Sequence, residues 1–201
     1  MAKLPFSFYQ SLDVNDLAVQ LLGKKIFTCI DGELASGIIV ETEAYKGIED
    51  KASHAYGGRF TSRTQTMYEA GGLSYVYLCY GIHYLFNVVT AVKGIPHAVL
   101  IRGIEPVDGL DVMLQRRGMP LLKPNLTAGP GALAKALGIN KELNGKDLTG
   151  EQIWLEEGMP PLESREIVAS PRVGVAYAED HALLPWRYYI KGNKFVSKPN
   201  S

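Results

Sequence analysis

Ile38-Ile39-Val40-Glu41-Thr42-Glu43-Ala44-Tyr45 begins as a buried strand and ends in two carboxylates. β-Branched side chains pack well on a pleated sheet, and successive strand residues point to opposite faces. Strict alternation places Ile39, Glu41, Glu43 and Tyr45 on one face and Ile38, Val40, Thr42 and Ala44 on the other. Carboxylates avoid burial unless they are paired. The ordinary reading is therefore a strand whose end emerges into solvent. A carboxylate kept in a partly closed pocket would instead orient and deprotonate a water. Alternation alone does not choose between Glu41 and Glu43.

Working outward, Asp31-Gly32 is a hairpin signal joining a strand over 34–45 to one over 25–30. Leu17, Leu21 and Leu22, after Asp13 and before Gly23, predict a short capped helix. Residues 46–72, rich in Gly, Ser, Thr and charge, read as a long surface loop with one helical turn, a length often tied to function. A second hairpin is expected over 73–80 and 83–90, with Gly81-Ile82 as a type II′ turn. Further strands are expected at 98–104, 172–177 and 186–190, and helices at 111–117 and from Gly129-Pro130 to Gly138. No regular alternation of strand and helix is visible, which disfavours a doubly wound parallel sheet. The expectation is one mixed α/β domain spanning residues 1–201.

The whole chain restricts the chemistry. Its 201 residues, 46% hydrophobic, suffice for one core. No apolar run approaches the ~20 residues that cross a bilayer, and the N-terminus lacks a signal-peptide pattern. A cytoplasmic protein is expected, nucleoid-associated if bacterial. Cys29 and Cys79 lie in apolar runs and read as buried reduced thiols. Neither C-x-x-C nor H-E-x-x-H occurs, so no metal site is expected and a zinc deaminase is disfavoured. Twenty-one basic and 21 acidic residues cancel, although nucleic-acid affinity usually draws on phosphate neutralisation. Distribution matters more than the sum. Residues 51–68 carry Lys51, Arg59 and Arg63 without an acid, and 182–201 carry Arg187, Lys191, Lys194 and Lys198 likewise. These stretches read either as one basic face or as solvated surface.

Several side chains are out of place for a simple core. Tyr75, Tyr77 and Tyr80 lead into the second hairpin, with His83 and Tyr84 beyond its turn. Strand aromatics are usually packing material, but one at a hairpin tip suits insertion between bases in a minor groove. Asn87 interrupts an apolar strand, so it either braces backbone or faces a polar ligand. Arg102 sits inside another apolar run and needs a carboxylate, either the nearby Glu105 or Glu43. Pairing with Glu43 would keep that carboxylate ionised near neutral pH. His54 reads as a loop hydrogen-bonder or a pocket wall. Gly129-Pro130-Gly131 reads as a plain helix start or a phosphate contact.

The order of these features is more specific than any one of them. Glu41-Thr42-Glu43-Ala44-Tyr45, Asp50-Lys51-Ala52-Ser53-His54, 75–81, Asn87 and 100–106 follow one another, then Gly129-Pro130, 172–175, 185–189 and Val196-Ser197. Together they resemble the alkyladenine (3-methyladenine) DNA glycosylase family over nearly the whole chain. The resemblance implies an antiparallel-rich curved sheet with flanking helices and a protruding β-hairpin that enters DNA. It implies a monofunctional enzyme of base excision repair, without cofactor or metal, acting as a monomer on double-stranded DNA containing damaged purines. By position, Glu43 resembles the base that activates water and Arg102 the residue that holds that water. Tyr45, His54 and Tyr77 resemble the walls around the flipped base, and Tyr80 the intercalating residue. Asn87 resembles the residue that crowds normal guanine, with Leu100 lining the same pocket. Three positions depart from the family pattern: Thr64 where Asn often follows Arg, Ala132 where a basic residue often follows Gly-Pro, and His83 where some members carry Tyr. Two rivals remain, a hydrolase of free nucleosides or sugars and a recognition module without catalysis.

Overall fold

The computed structural model describes residues 2–197. Within them, eight strands form one sheet in which every paired neighbour is antiparallel, in the order β3-β4-β5-β2-β1-β6, with β8 joining β2 to β7. The strands are β1 (Lys25–Ile30), β2 (Glu33–Tyr45), β3 (Ser74–Cys79), β4 (His83–Thr90), β5 (His97–Pro106), β6 (Ile153–Glu156), β7 (Ile167–Ser170) and β8 (Arg187–Ile190). Helices α1 (Val14–Gln20), α2 (Leu110–Arg117) and α3 (Pro130–Ala136) accompany the sheet. Asp13 starts α1 by accepting from the backbone N–H groups of Asn15 and Asp16, which satisfies two donors that a helix start leaves open. The expected mixed α/β architecture is therefore the observed one.

β2 organises the molecule because it borrows three neighbours. Its first half pairs with β1, its second half with β5, and Glu41–Glu43 also pair with β8. Register with β5 shifts twice, between Ile39 and Glu41 and between Glu41 and Thr42. Such a bulge re-aims side chains, and it overturns strict alternation here. Ile39 and Ala44, of opposite parity, both enter the main core. Val40 instead packs with Tyr189, Phe195 and Val196. The shift frees Glu41, Glu43 and Tyr45 from the apolar face that Ile39 occupies.

Other expectations are corrected. The 172–177 stretch is not a strand: β7 ends at Ser170, and a 3₁₀ segment, Ala176–Leu183, follows. β6 and β7, of four residues each, were not anticipated. Residues 46–72 contain two 3₁₀ turns, Tyr56–Gly58 and Gln65–Tyr68, and are anchored by buried Asp50, Ala52, Ser53, Ala55 and Met67. Cys29 and Cys79 are free but only half-buried. At the tip of the β3–β4 hairpin, Tyr80 and Gly81 both have positive φ (50° and 71°), and the Ile82 N–H donates to the Cys79 carbonyl at 3.0 Å. That is the sign pattern of a type I′ turn, with Gly81 second of the two central residues and not first.

Candidate active site

Glu41 and Glu43 of β2 have no exposed surface, so neither is the solvated strand end that composition suggested. Glu41 is enclosed by donors. Arg187 Nε reaches its Oε1 at 2.7 Å and Arg102 Nε at 3.0 Å. Ser197 adds its backbone N–H to Oε2 at 2.6 Å and its hydroxyl to Oε1 at 2.9 Å. Burial pushes the Glu41 carboxyl upward, but the two guanidinium groups and the Ser197 N–H outweigh it and hold the group below the usual range. The tail reaches this position because residue 103 is glycine: a Cβ there would lie 2.6 Å from the Phe195 carbonyl oxygen. Arg187, expected on a basic surface, is instead buried in this network. Lys51 likewise is bridged to Glu179 and Asp180, and Lys198 lies outside the described residues.

Glu43 has fewer partners. Its Oε1 accepts from the Val173 backbone N–H at 2.7 Å and its Oε2 from the Tyr45 hydroxyl at 2.9 Å. Arg102 Nε stands 3.5 Å from Oε1, farther than from Glu41. Glu105, the other candidate partner of Arg102, accepts from Asn193. Burial dominates at Glu43 and raises its pKa against Arg102, the Val173 N–H and the Tyr45 hydroxyl, with Glu41 adding to the rise. A carboxyl so placed becomes a stronger base than an exposed one once deprotonated.

Tyr45, Arg102 and Val173, the three contacts of Glu43, all line a cavity of about 700 Å³. His54, Tyr77, Leu100 and Tyr80 line it too, so it brings together the expected site residues apart from Asn87 and Glu43. The latter lies directly behind the wall. Asn87 lines a smaller hollow that shares Tyr45, His54, Tyr77 and Tyr177 with the large one. Its Nδ2 donates to the Tyr75 carbonyl at 3.0 Å, so it braces backbone and faces the hollow at once. Arg172 stacks on Tyr45 (4.9 Å) and Trp186 (5.1 Å) while donating to both oxygens of buried Asp50. This tie fixes the Tyr45 ring and the start of the segment that presents the Val173 N–H. The His54 ring meets the Tyr77 ring edge-on at 4.6 Å. Tyr80, at the cavity rim, is 88% exposed.

Residue-by-residue reading missed Val173, Tyr177 and the Asp50–Arg172 tie. A backbone donor such as the Val173 N–H has no side-chain signature. Tyr177 was assigned to a strand that does not exist, though a tyrosine beside Arg172-Val173-Gly174 was available as a signal. Among the described residues, no cluster of His, Cys, Asp and Glu is suited to a metal ion. No helix there is long and apolar enough to cross a membrane.

Comparison with known proteins agrees over the whole length. The family model for methylpurine-DNA glycosylase (MPG) matches residues 7–194. A Bacillus cytotoxicus protein named "Putative 3-methyladenine DNA glycosylase" is 48% identical, with 98% of this chain and 100% of that protein covered. Proteins of the same name from Clostridium acetobutylicum and Chlamydia felis are each 48% identical. The first alignment covers 97% of both chains; the second covers 95% of this chain and 97% of the relative.

Proposed function

The chain belongs to the methylpurine-DNA glycosylase family, and we propose that it excises alkylated and deaminated purines from duplex DNA by hydrolysing the N-glycosidic bond. The observation that carries this reading is Glu43: a buried carboxyl whose Tyr45, Arg102 and Val173 contacts are walls of a cavity large enough for a base. Tyr80 occupies the gap left in the base stack as the damaged nucleotide rotates out, and its exposure at a hairpin tip suits that insertion. Damaged pairs cost less to open, which supplies part of the selectivity.

In the slot, Tyr45, His54 and Tyr77 enclose the purine, with Leu100 beneath and Asn87 crowding the exocyclic amino group of normal guanine. Aromatic faces attract cationic bases such as 3-methyladenine and 7-methylguanine. Hypoxanthine and ethenoadenine, which are neutral, depend on hydrogen bonding and fit. Glu43 takes a proton from water as the water oxygen bonds to C1′, and the purine leaves with the electron pair of the C1′–N bond. Arg102, anchored by Glu41 and Ser197, holds the water. No lysine occupies the nucleophile role in the matched motifs, and base release without strand cleavage is the expected outcome.

The test is direct. Duplexes carrying 7-methylguanine, hypoxanthine or ethenoadenine are incubated with the protein, and free base and strand integrity are measured. Base release with intact strands is expected. Lesion binding without release would make the protein a recognition module, and equal activity on free nucleosides would make it a nucleosidase.

A further inference from the structure

Arg63 reaches into the aromatic slot from outside. It lies on an exposed stretch between the two 3₁₀ turns. Its guanidinium carbon nevertheless sits 4.9 Å over the Tyr77 ring, and its Nη2 lies 3.2 Å from His54 Nε2. Arginine only donates hydrogen bonds, so His54 Nε2 accepts. The proton of the neutral ring is then on Nδ1, which donates to the Tyr75 hydroxyl oxygen at 2.8 Å. Burial, with Arg63 and Arg59 nearby, lowers the His54 pKa to about 4, which keeps the ring neutral. The cavity is also one-sided in charge. Arg63, Arg102 and Arg117 line it, and no carboxylate does among the described residues.

We propose that Arg63 sets lesion preference, by holding the cation position over Tyr77 in competition with a positively charged base. The proposal rests on the glycosylase reading above and extends it to a residue that nothing else assigns. A cationic purine stacking on Tyr77 must displace the guanidinium or share the slot with a like charge, and both are unfavourable. A neutral purine such as hypoxanthine has no such conflict. Its N7 and O6 are acceptors that a guanidinium moved to the slot edge meets with its N–H groups. Arg63 therefore narrows the advantage that bare aromatic walls would give to cationic lesions. Because the side chain is exposed, its hold is weak, and it biases entry without blocking it.

Single-turnover excision, with enzyme saturating, is measured on duplexes carrying 7-methylguanine or hypoxanthine for wild type, Arg63→Met and Arg63→Lys. Arg63→Met is expected to raise the ratio of 7-methylguanine to hypoxanthine rates about tenfold, whereas Arg63→Lys, which keeps the charge, stays within about twofold of wild type. A lost phosphate contact would slow both substrates alike and leave the ratio unchanged. In the free protein, an NMR titration should show the His54 pKa rising from about 4 in Arg63→Met. An unchanged ratio, an unchanged His54 titration, or a Lys variant that behaves like Met overturns the proposal. Release of both bases at an unchanged ratio defeats it alone. Absence of base release by the wild type defeats the glycosylase reading and this proposal together.

Discussion

Glu41 and Glu43 lie two residues apart on β2, have no exposed surface, and shift in opposite directions although burial raises both. Glu41 meets two guanidinium groups and two donors of Ser197, and its carboxyl is held low. Glu43 meets one distant guanidinium and two neutral donors, and its carboxyl is pushed up. Burial is common to both, so partners decide the role. A fully compensated carboxylate anchors structure, and an under-compensated one beside a cavity keeps reactivity. Arg102 connects the two, since its Nε is nearer Glu41 and still within 3.5 Å of Glu43.

The sharpest way to break this contrast is to remove each charge in turn. Glu43→Gln is expected to lower single-turnover base release about 10²–10⁴-fold, with damaged-duplex binding and thermal stability retained. Excision near the wild-type rate would take Glu43 out of the mechanism. Glu41→Ala removes the carboxylate that buried Arg102 and Arg187 share, and such losses cost about 3–5 kcal/mol. Urea unfolding should show that loss; a midpoint equal to wild type would mean that the network does not stabilise the fold. The pH dependence has a definite sign. Folding depresses the Glu41 pKa below its ordinary 4.5, so its stabilisation is complete above that pH and disappears as pH falls through the lower folded value.

Two smaller effects sharpen the comparison. Tyr80 holds a left-handed backbone conformation that non-glycine residues seldom adopt, so the hairpin tip, like Glu43, carries a local cost beside the site. Tyr80→Asn should raise stability by about 1 kcal/mol while weakening damaged-duplex affinity about tenfold through lost stacking. Equal affinity would mean that the ring does not enter DNA. Tyr45→Phe removes a donor that favours ionised Glu43. The proposed mechanism needs that ionised form, so the wild-type rate should fall as pH drops through a raised Glu43 pKa, and the variant should lose activity at a still higher pH. A limb that moves downward in the pH–rate profile would show that Tyr45 does not support the charge.

Much of this was legible before any coordinates. The β1–β2 and β3–β4 hairpins follow from Asp31-Gly32 and from the aromatic run entering Gly81, and α1 follows from Asp13 and its leucines. Those signals are local, written in turn chemistry and periodicity. β6 and β7 were not legible, because four residues carry few alternations and neither strand has the aromatic run that marks β8. Nor was the turn type, since the backbone of Tyr80 adopts a conformation its residue type disfavours.

The order of Glu43, His54, Tyr77, Tyr80, Asn87 and Arg102 along the chain was enough to indicate the family. Only the tertiary structure distinguished the surroundings of Glu41 and Glu43, because a bulge of β2 against β5 sets their directions and residues more than 50 positions away supply most of their partners. Sequence carries the type of each group. Its pKa and its access to a cavity depend on low dielectric and on donors brought from distant segments, and those exist only once the chain has folded.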